Sequence, residues 1–252
     1  MTKSVLYAGE RIDALYANDI KIIQSPQVFS FSLDAVLLAH FAQPIRKAKG
    51  LVVDLCAGNG AVALFMAHKT QAHIIAVEIQ ERLADMAQRS VQLNNLQDQI
   101  EVRNADLKDA FNYLTKDTVD TITCNPPYFP LEVESKRNPN EHLALARHEI
   151  AVNFAEICQI SSGLLKMGGK LYLVHRPDRL PELITTLVEN RLAPKRIQFI
   201  HPKPGQEANM VLIEAIKDGK PNGVRVLPAI VAADEAGNYT GLVKELLYGK
   251  EE

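Results

Sequence analysis

This sequence predicts an α/β fold: an open, mostly parallel sheet with helices on both faces and an antiparallel last strand. Three observations carry that expectation. From Leu51 onward, short apolar runs of strand length alternate with segments whose apolar residues recur at helical spacing. The first four runs each lead into an acid or an amide, and open α/β sheets gather their chemistry at the carboxyl ends of their strands. The last two runs, Lys195 to Ile200 and Met210 to Ile216, are separated by the Pro-Gly-containing turn His201 to Asn209 and read as an antiparallel pair at one edge.

Taken in order, the elements begin with a helix that Ser32 could cap. Its apolar positions Val36, Leu37, Ala39 and Phe41 recur at helical spacing until Pro44 stops it, and it is expected to roof the cofactor cleft. The strand Leu51 to Val53 feeds the loop Asp54 to Gly60, and the helix Ala61 to His68 follows. The strand Ile74 to Val77 ends in Glu78. The helix Gln80 to Asn94 then sets Leu83, Met86, Ala87 and Val91 on one face, with Arg82 and Arg89 expected to point outward. A third strand, Ile100 to Arg103, runs into Asn104-Ala105-Asp106, and a fourth, Val119 to Cys124, runs into Asn125-Pro126-Pro127-Tyr128. After the long segment Phe129 to Asn153, a helix from Phe154 to Lys166 should end near Gly168-Gly169, before the strand Lys170 to Val174 and the helix Leu180 to Asn190. We divide the chain into an N-terminal lead with the roofing helix, residues 1–48, and one domain, residues 49–252, carrying a substrate loop at about 128–153.

Composition bounds the rest. With 252 residues and 47% hydrophobic content, the chain can bury a large core in a single α/β unit. The start Met1-Thr2-Lys3-Ser4 lacks a charged leader and a long apolar run, so a cytoplasmic protein with no membrane partner is expected, a monomer or a weak homodimer. Cys56, Cys124 and Cys158 are odd in number and widely spaced, without a C-x-x-C pair, so they are expected to be reduced thiols, and no metal is expected. A formal charge of −2 argues against a general nucleic-acid coat but permits a local basic face.

Two motifs carry chemistry. The loop Asp54-Leu55-Cys56-Ala57-Gly58-Asn59-Gly60 joins a strand to a helix. Its glycines can take positive φ and let the backbone approach a ligand, which fits a nucleotide-like cofactor. It is a poor match to the G-x-G-x-x-G dinucleotide fingerprint, because an acid starts it and Ala61-Val62-Ala63 follow Gly60. Glu78 is placed to accept from both hydroxyls of a ribose, and Asp106 could accept from an adenine amine. Asn125-Pro126-Pro127-Tyr128 offers an amide acceptor, a carbonyl held out of helical geometry by the next proline, and an aromatic face, which together suit a planar amine.

With these residues the chain resembles a class I S-adenosylmethionine-dependent methyltransferase of the amino-methylating branch, whose sheet is Rossmann-like and whose catalytic loop is N-P-P-Y. Almost end to end it is similar to the bacterial tRNA1(Val) adenine-37 N6-methyltransferase family. That likeness rests on Ile22-Ile23-Gln24, Phe31 to Ala39, Ala146-Arg147-His148-Glu149, Val174-His175-Arg176-Pro177 and Ala208 to Glu214. The resemblance implies S-adenosylmethionine as cofactor, held by Asp54, Cys56, Ala57, Gly58, Gly60, Glu78, Asp106 and Asn125. It also implies catalysis by Asn125, Pro126, Pro127 and Tyr128, and tRNA as partner. Cys56 departs from the family, whose loop often has glycine there.

An adenine amine is a weak nucleophile because its lone pair is delocalised into the ring. Acceptance of its two hydrogens by the Asn125 oxygen and the Pro126 carbonyl would let the nitrogen pyramidalise, and both bonds would strengthen as charge grows on it. Tyr128 and Phe129 would stack on the base. Arg147, His148, Lys195, Arg196 and Lys203 are candidate substrate contacts, with Arg147 favoured by the resemblance as well. Two other readings remain. One is the same chemistry on a protein glutamine or on a base amine of ribosomal RNA or DNA; the other is a non-catalytic module that binds the cofactor and RNA.

Overall fold

The computed structural model describes residues 5–15, 19–28, 33–126, 128 and 152–249. A hairpin of β1 (Arg11–Leu15) and β2 (Ile20–Gln24) precedes α1 (Leu33–Phe41). Then come β3 (Leu51–Leu55), α2 (Ala61–Ala67), β4 (His73–Glu78), α3 (Glu81–Leu93), β5 (Ile100–Asn104), the short α4 (Ala110–Tyr113) and β6 (Val119–Cys124). The later part holds α5 (Phe154–Leu164), β7 (Leu165–His175), α6 (Leu180–Glu189), β8 (Leu192–His201), β9 (Met210–Lys217), β10 (Arg225–Val226), β11 (Ile230–Val231) and α7 (Gly241–Tyr248).

One sheet of nine strands runs β10-β8-β9-β7-β6-β3-β4-β5, with β11 also paired to β8. The strands from β7 to β5 along that order are parallel, and β9 is antiparallel to both β7 and β8. Alternation along each strand sorts the core into two layers. Val52, Ile74, Tyr172 and Leu212 pack against α1 and α2, while Val53, Ile75, Leu171 and Ile213 pack against α5 and α6. Helix α1 is apolar around nearly its whole girth, with Val36, Leu37, Leu38 and Phe41 all buried, because it is covered by α2, β7, β9 and α7. On α3, Leu83 and Met86 meet Ile23 and Val28 under the N-terminal hairpin.

The Rossmann-like sheet, its antiparallel ending and helices on both faces are therefore as expected, and several local expectations need correction. Helix α5 starts at a capping box, with Asn153 accepting from the Glu156 N–H while Glu156 accepts from the Asn153 N–H, both at 2.9 Å. It stops at Leu164, not Lys166, and Gly168-Gly169 lies inside the irregular start of β7. There Gly168 has φ +78, and a Cβ on Gly169 would fall 2.8 Å from the Lys166 carbonyl, so glycine is needed for the strand's bend. Arg89 does not point into solvent: it pairs with Glu10 at 2.6 Å, the two side chains being 11% and 1% exposed, and so ties α3 to the N-terminal segment. Arg82 is likewise engaged, donating to Ser25 and Gln27. The β8–β9 pair is not the outermost layer, since β10 and β11 cover β8.

Candidate active site

The carboxyl ends of β3, β4, β5 and β6 gather the acids and the Asn-Pro motif along one edge of the parallel sheet. Asp54 sits one residue before the end of β3, across from Thr123, whose hydroxyl donates to Oδ1 at 2.7 Å. The other oxygen, Oδ2, is buried and makes no close, well-aligned hydrogen bond among the described residues, its carboxylate being approached by the Ala63 N–H at the start of α2. Burial raises the Asp54 carboxyl to about 7, against the pull of Thr123 and of the Ala63 N–H and helped by the Glu78 charge.

Past Leu55 the chain turns by placing alternate residues in the left-handed region: Cys56 at φ 57, Gly58 at φ 56 and Gly60 at φ 84. That angle at position 56 favours glycine, and Cys56 adopts it despite its side chain. The Ala57 N–H donates to the Val77 carbonyl, and the Asn59 side chain donates to the Ile23 carbonyl, both at 3.0 Å. A Cβ on Gly60 would lie 3.1 Å from the Ala87 Cβ of α3, so the loop presses on that helix, whereas one on Gly58 would meet nothing within 4 Å. Next to Cys56, on the neighbouring strand, Cys124 is a buried thiol pushed well above its ordinary pKa by Cys56 and by burial.

Glu78 closes the loop from β4. Its Oε2 accepts from the Gly58 N–H at 2.8 Å and its Oε1 from the Gln80 N–H at 2.9 Å, so the carboxylate faces the turn. Burial raises its pKa. Asn104 braces the same turn by donating to the Glu78 and Ile79 carbonyls, each at 2.9 Å. Asp106, two residues past β5, caps a short turn by accepting from the Lys108 N–H at 2.9 Å. A buried carboxylate oxygen on Asp54, a backbone turn with open space at Gly58, and the Glu78 carboxylate at the end of the next strand fit a polar, nucleotide-like cofactor.

Asn125 and buried Pro126 directly follow β6. The Tyr128 hydroxyl reaches Asn125 at 2.6 Å and the Asp34 carboxylate of α1 at 2.7 Å. Burial, reinforced by Asp34, drives the phenol well above its ordinary pKa, so it keeps its proton. Behind it lies His175, wholly buried at the end of β7, whose Nδ1 accepts from the Arg176 N–H. Burial lowers His175 to about 4, helped by Arg179, so its ring is neutral. Asp34, Thr123 and His175 are the site residues that sequence reasoning did not assign a role. The first and third lie inside segments that carried the family likeness, and Thr123 is hidden within an apolar strand.

The basic candidates separate. Arg196 is 8% exposed, donates to Glu214 at 2.7 Å and to the Phe41 carbonyl at 3.1 Å, and stacks on Phe41, so it is a core residue and not a substrate contact. Lys195 lies toward the amino end of β8, away from the Asn125 end of the sheet, and donates to the Lys220 and Asn222 carbonyls. Lys203, just past β8, is on the Asn125 side and donates to the Glu235 carbonyl at 3.2 Å. Arg179 is 11% exposed and holds the Tyr128 carbonyl and Glu182. Pro127, Phe129, Arg147, His148 and the Ser32 cap lie outside the described residues, as does most of the expected substrate loop. Among the described residues, no group of three or more His, Cys, Asp or Glu is arranged to hold a metal, and no helix is long and apolar enough to cross a membrane.

The profile of the methyltransferase small domain matches residues 19–191. A tRNA1(Val) (adenine(37)-N6)-methyltransferase from Bacteroides thetaiotaomicron is 31% identical over 182 residues, 71% of this chain and 73% of its own. Its namesake from Phocaeicola vulgatus is 29% identical over 180 residues, 71% of this chain and 74% of its own. Among solved structures, a predicted O-methyltransferase from Agrobacterium tumefaciens matches with a TM-score of 0.67 and 25% identity, covering 86% of this chain and 96% of that one. A geranyl diphosphate methyltransferase in complex with SAM shares the fold at 15% identity and a TM-score of 0.55, over 73% of this chain and 84% of that one.

Proposed function

This chain belongs to the methyltransferase small domain family, and from that membership we propose that it methylates the exocyclic amine of an adenine in tRNA, at position 37 of tRNA1(Val), in the cytoplasm. It is an S-adenosylmethionine-dependent methyltransferase of the kind its relatives are named for. The observation that carries the reading is the position of Asn125, at the carboxyl end of β6 and beside β3, the strand that carries Asp54 one residue before its end.

S-adenosylmethionine supplies an electrophilic methyl group on a sulfonium. Asp54 and the turn at Gly58 would hold its charged end, Glu78 its ribose and Asp106 its adenine, each by acceptors described above. Asn125 and the Pro126 carbonyl accept the two hydrogens of the substrate amine and orient its lone pair. As positive charge grows on nitrogen those bonds strengthen, which lowers the barrier without a strong general base. Tyr128 offers its ring to the base, and an anticodon-loop adenine is already partly unpaired, so drawing it out costs less than from a duplex. Lys203 remains a candidate phosphate contact on the described surface, and Arg147 one outside it.

Labelled cofactor incubated with separate pools of tRNA, ribosomal RNA, DNA and protein should mark tRNA alone, as N6-methyladenosine by mass. Asn125→Ala should abolish that transfer and leave cofactor affinity within a few-fold. Label confined to protein would replace the adenine with a glutamine amide, and turnover retained in Asn125→Ala would remove the amide from the mechanism.

A further inference from the structure

Two distant parts of the chain meet at one phenol. Tyr128 Oη is 2.7 Å from Asp34 Oδ2 and 2.6 Å from Asn125 Oδ1. Asp34 is 5% exposed, and its other oxygen accepts from the Ala35 N–H at 2.8 Å. Tyr128 is held from two further directions: its ring leans on His175 with centroids 5.2 Å apart, and its carbonyl accepts from Arg179 Nη1 at 3.1 Å. His175 is itself braced edge-on by Phe154 at the start of α5.

A phenol has one hydrogen, so two oxygens cannot both receive it. Of the two, the carboxylate is the stronger acceptor. With the hydrogen on Asp34, the 2.6 Å approach of Asn125 closes as a hydrogen bond only when the amide NH2 faces the phenolic oxygen. The amide oxygen then faces the other way. Resting on the methyl-transfer reading above, we infer that Asp34 and Tyr128 are positioning residues that set the rotation of the Asn125 carboxamide and so present its oxygen to the incoming amine. A carboxamide is nearly symmetric in shape, so packing alone does not choose between its two orientations. The wrong one would set a donor against the donors of the substrate amine. The carboxylate of α1 supplies the choice, relayed through a single hydroxyl.

Tyr128→Phe keeps the ring and removes the relay. At saturating cofactor and tRNA its kcat should fall about tenfold, while KM for tRNA and the cofactor Kd stay within about twofold. Asp34→Ala should give a similar fall, and the double variant no further one, because both act through the same bond. Losses that add in the double variant, or a loss confined to KM, would overturn the relay. A readout that needs no acceptor separates this inference from the choice of substrate. The Asn125 side-chain NH2 resonances, identified by their absence in Asn125→Ala, should move in both Tyr128→Phe and Asp34→Ala. Resonances unmoved in Tyr128→Phe would sink the inference whatever the enzyme methylates. Moved resonances in a protein that leaves every tRNA unmarked would sink the tRNA reading and sustain the relay. If Asp34→Ala does not fold, Tyr128→Phe decides alone.

Discussion

Arg196 lies between Glu214 and the Phe41 carbonyl, with Phe41 and Tyr172 on its faces at 4.5 and 5.9 Å. Its charge is spent inside the fold, joining β8 to β9 and to the end of α1. Removing one member of a buried pair costs more than the pair contributes, because the partner is left charged and dry. Glu214 keeps a second cation, Lys170, at 3.9 Å, which softens the loss. Arg196→Ala should therefore lower the unfolding free energy by about 3 kcal/mol in a denaturant titration. Its tRNA affinity at fixed salt should not change, since a residue that touches phosphate would reduce both affinity and its salt slope. In sequence, Arg196 looks like its neighbour Lys195; only the register against Glu214 distinguishes them.

The β3–α2 connection shows how a loop is set by the helix beneath it. Gly60 combines φ 84 with an approach that leaves 3.1 Å between an added Cβ and Ala87. Gly60→Ala should cost about 1–2 kcal/mol from the left-handed angle alone, more if α3 has to yield, and a thermal melt measures it. A melting temperature equal to that of the parent would mean the turn can relax. This loop was legible in the sequence because its spacing, an acid then two glycines between a strand and a helix, is local. The motif after β6 was legible for the same reason. What sequence reading missed is non-local or weakly patterned. The β1–β2 hairpin mixes charges into five-residue strands, β10 and β11 are two residues each, and α7 packs Val243 alone in full burial. Helix α5 was overrun by two residues because a glycine pair reads as a helix end when it is instead the bend of the next strand. Asp34 and Tyr128 are 94 positions apart, and no spacing rule joins them.

At the scale of the whole molecule, the buried titratable groups pull stability in opposite directions across one pH range. Asp54 titrates at about 7 in the fold against 3.8 ordinarily, and Glu78 is raised too. A raised carboxyl binds its proton more tightly folded than unfolded, so its contribution is full below about pH 4 and is lost as pH rises toward 7. His175, lowered to about 4 from 6.5, works the other way: its contribution is present above about pH 6.5 and is lost as pH falls toward 4. Asp54→Asn keeps an acceptor for the Thr123 hydroxyl and cannot ionise. Between pH 4 and 7 the unfolding free energy of this variant should therefore gain steadily on the parent, by a few kcal/mol at the upper end. Parallel curves for the two proteins would mean that Asp54 ionises at its ordinary pKa. The ionised Asp54 carboxylate costs the fold stability near neutrality, so a cationic ligand bound at it should recover that cost and should bind more tightly as pH rises through about 7.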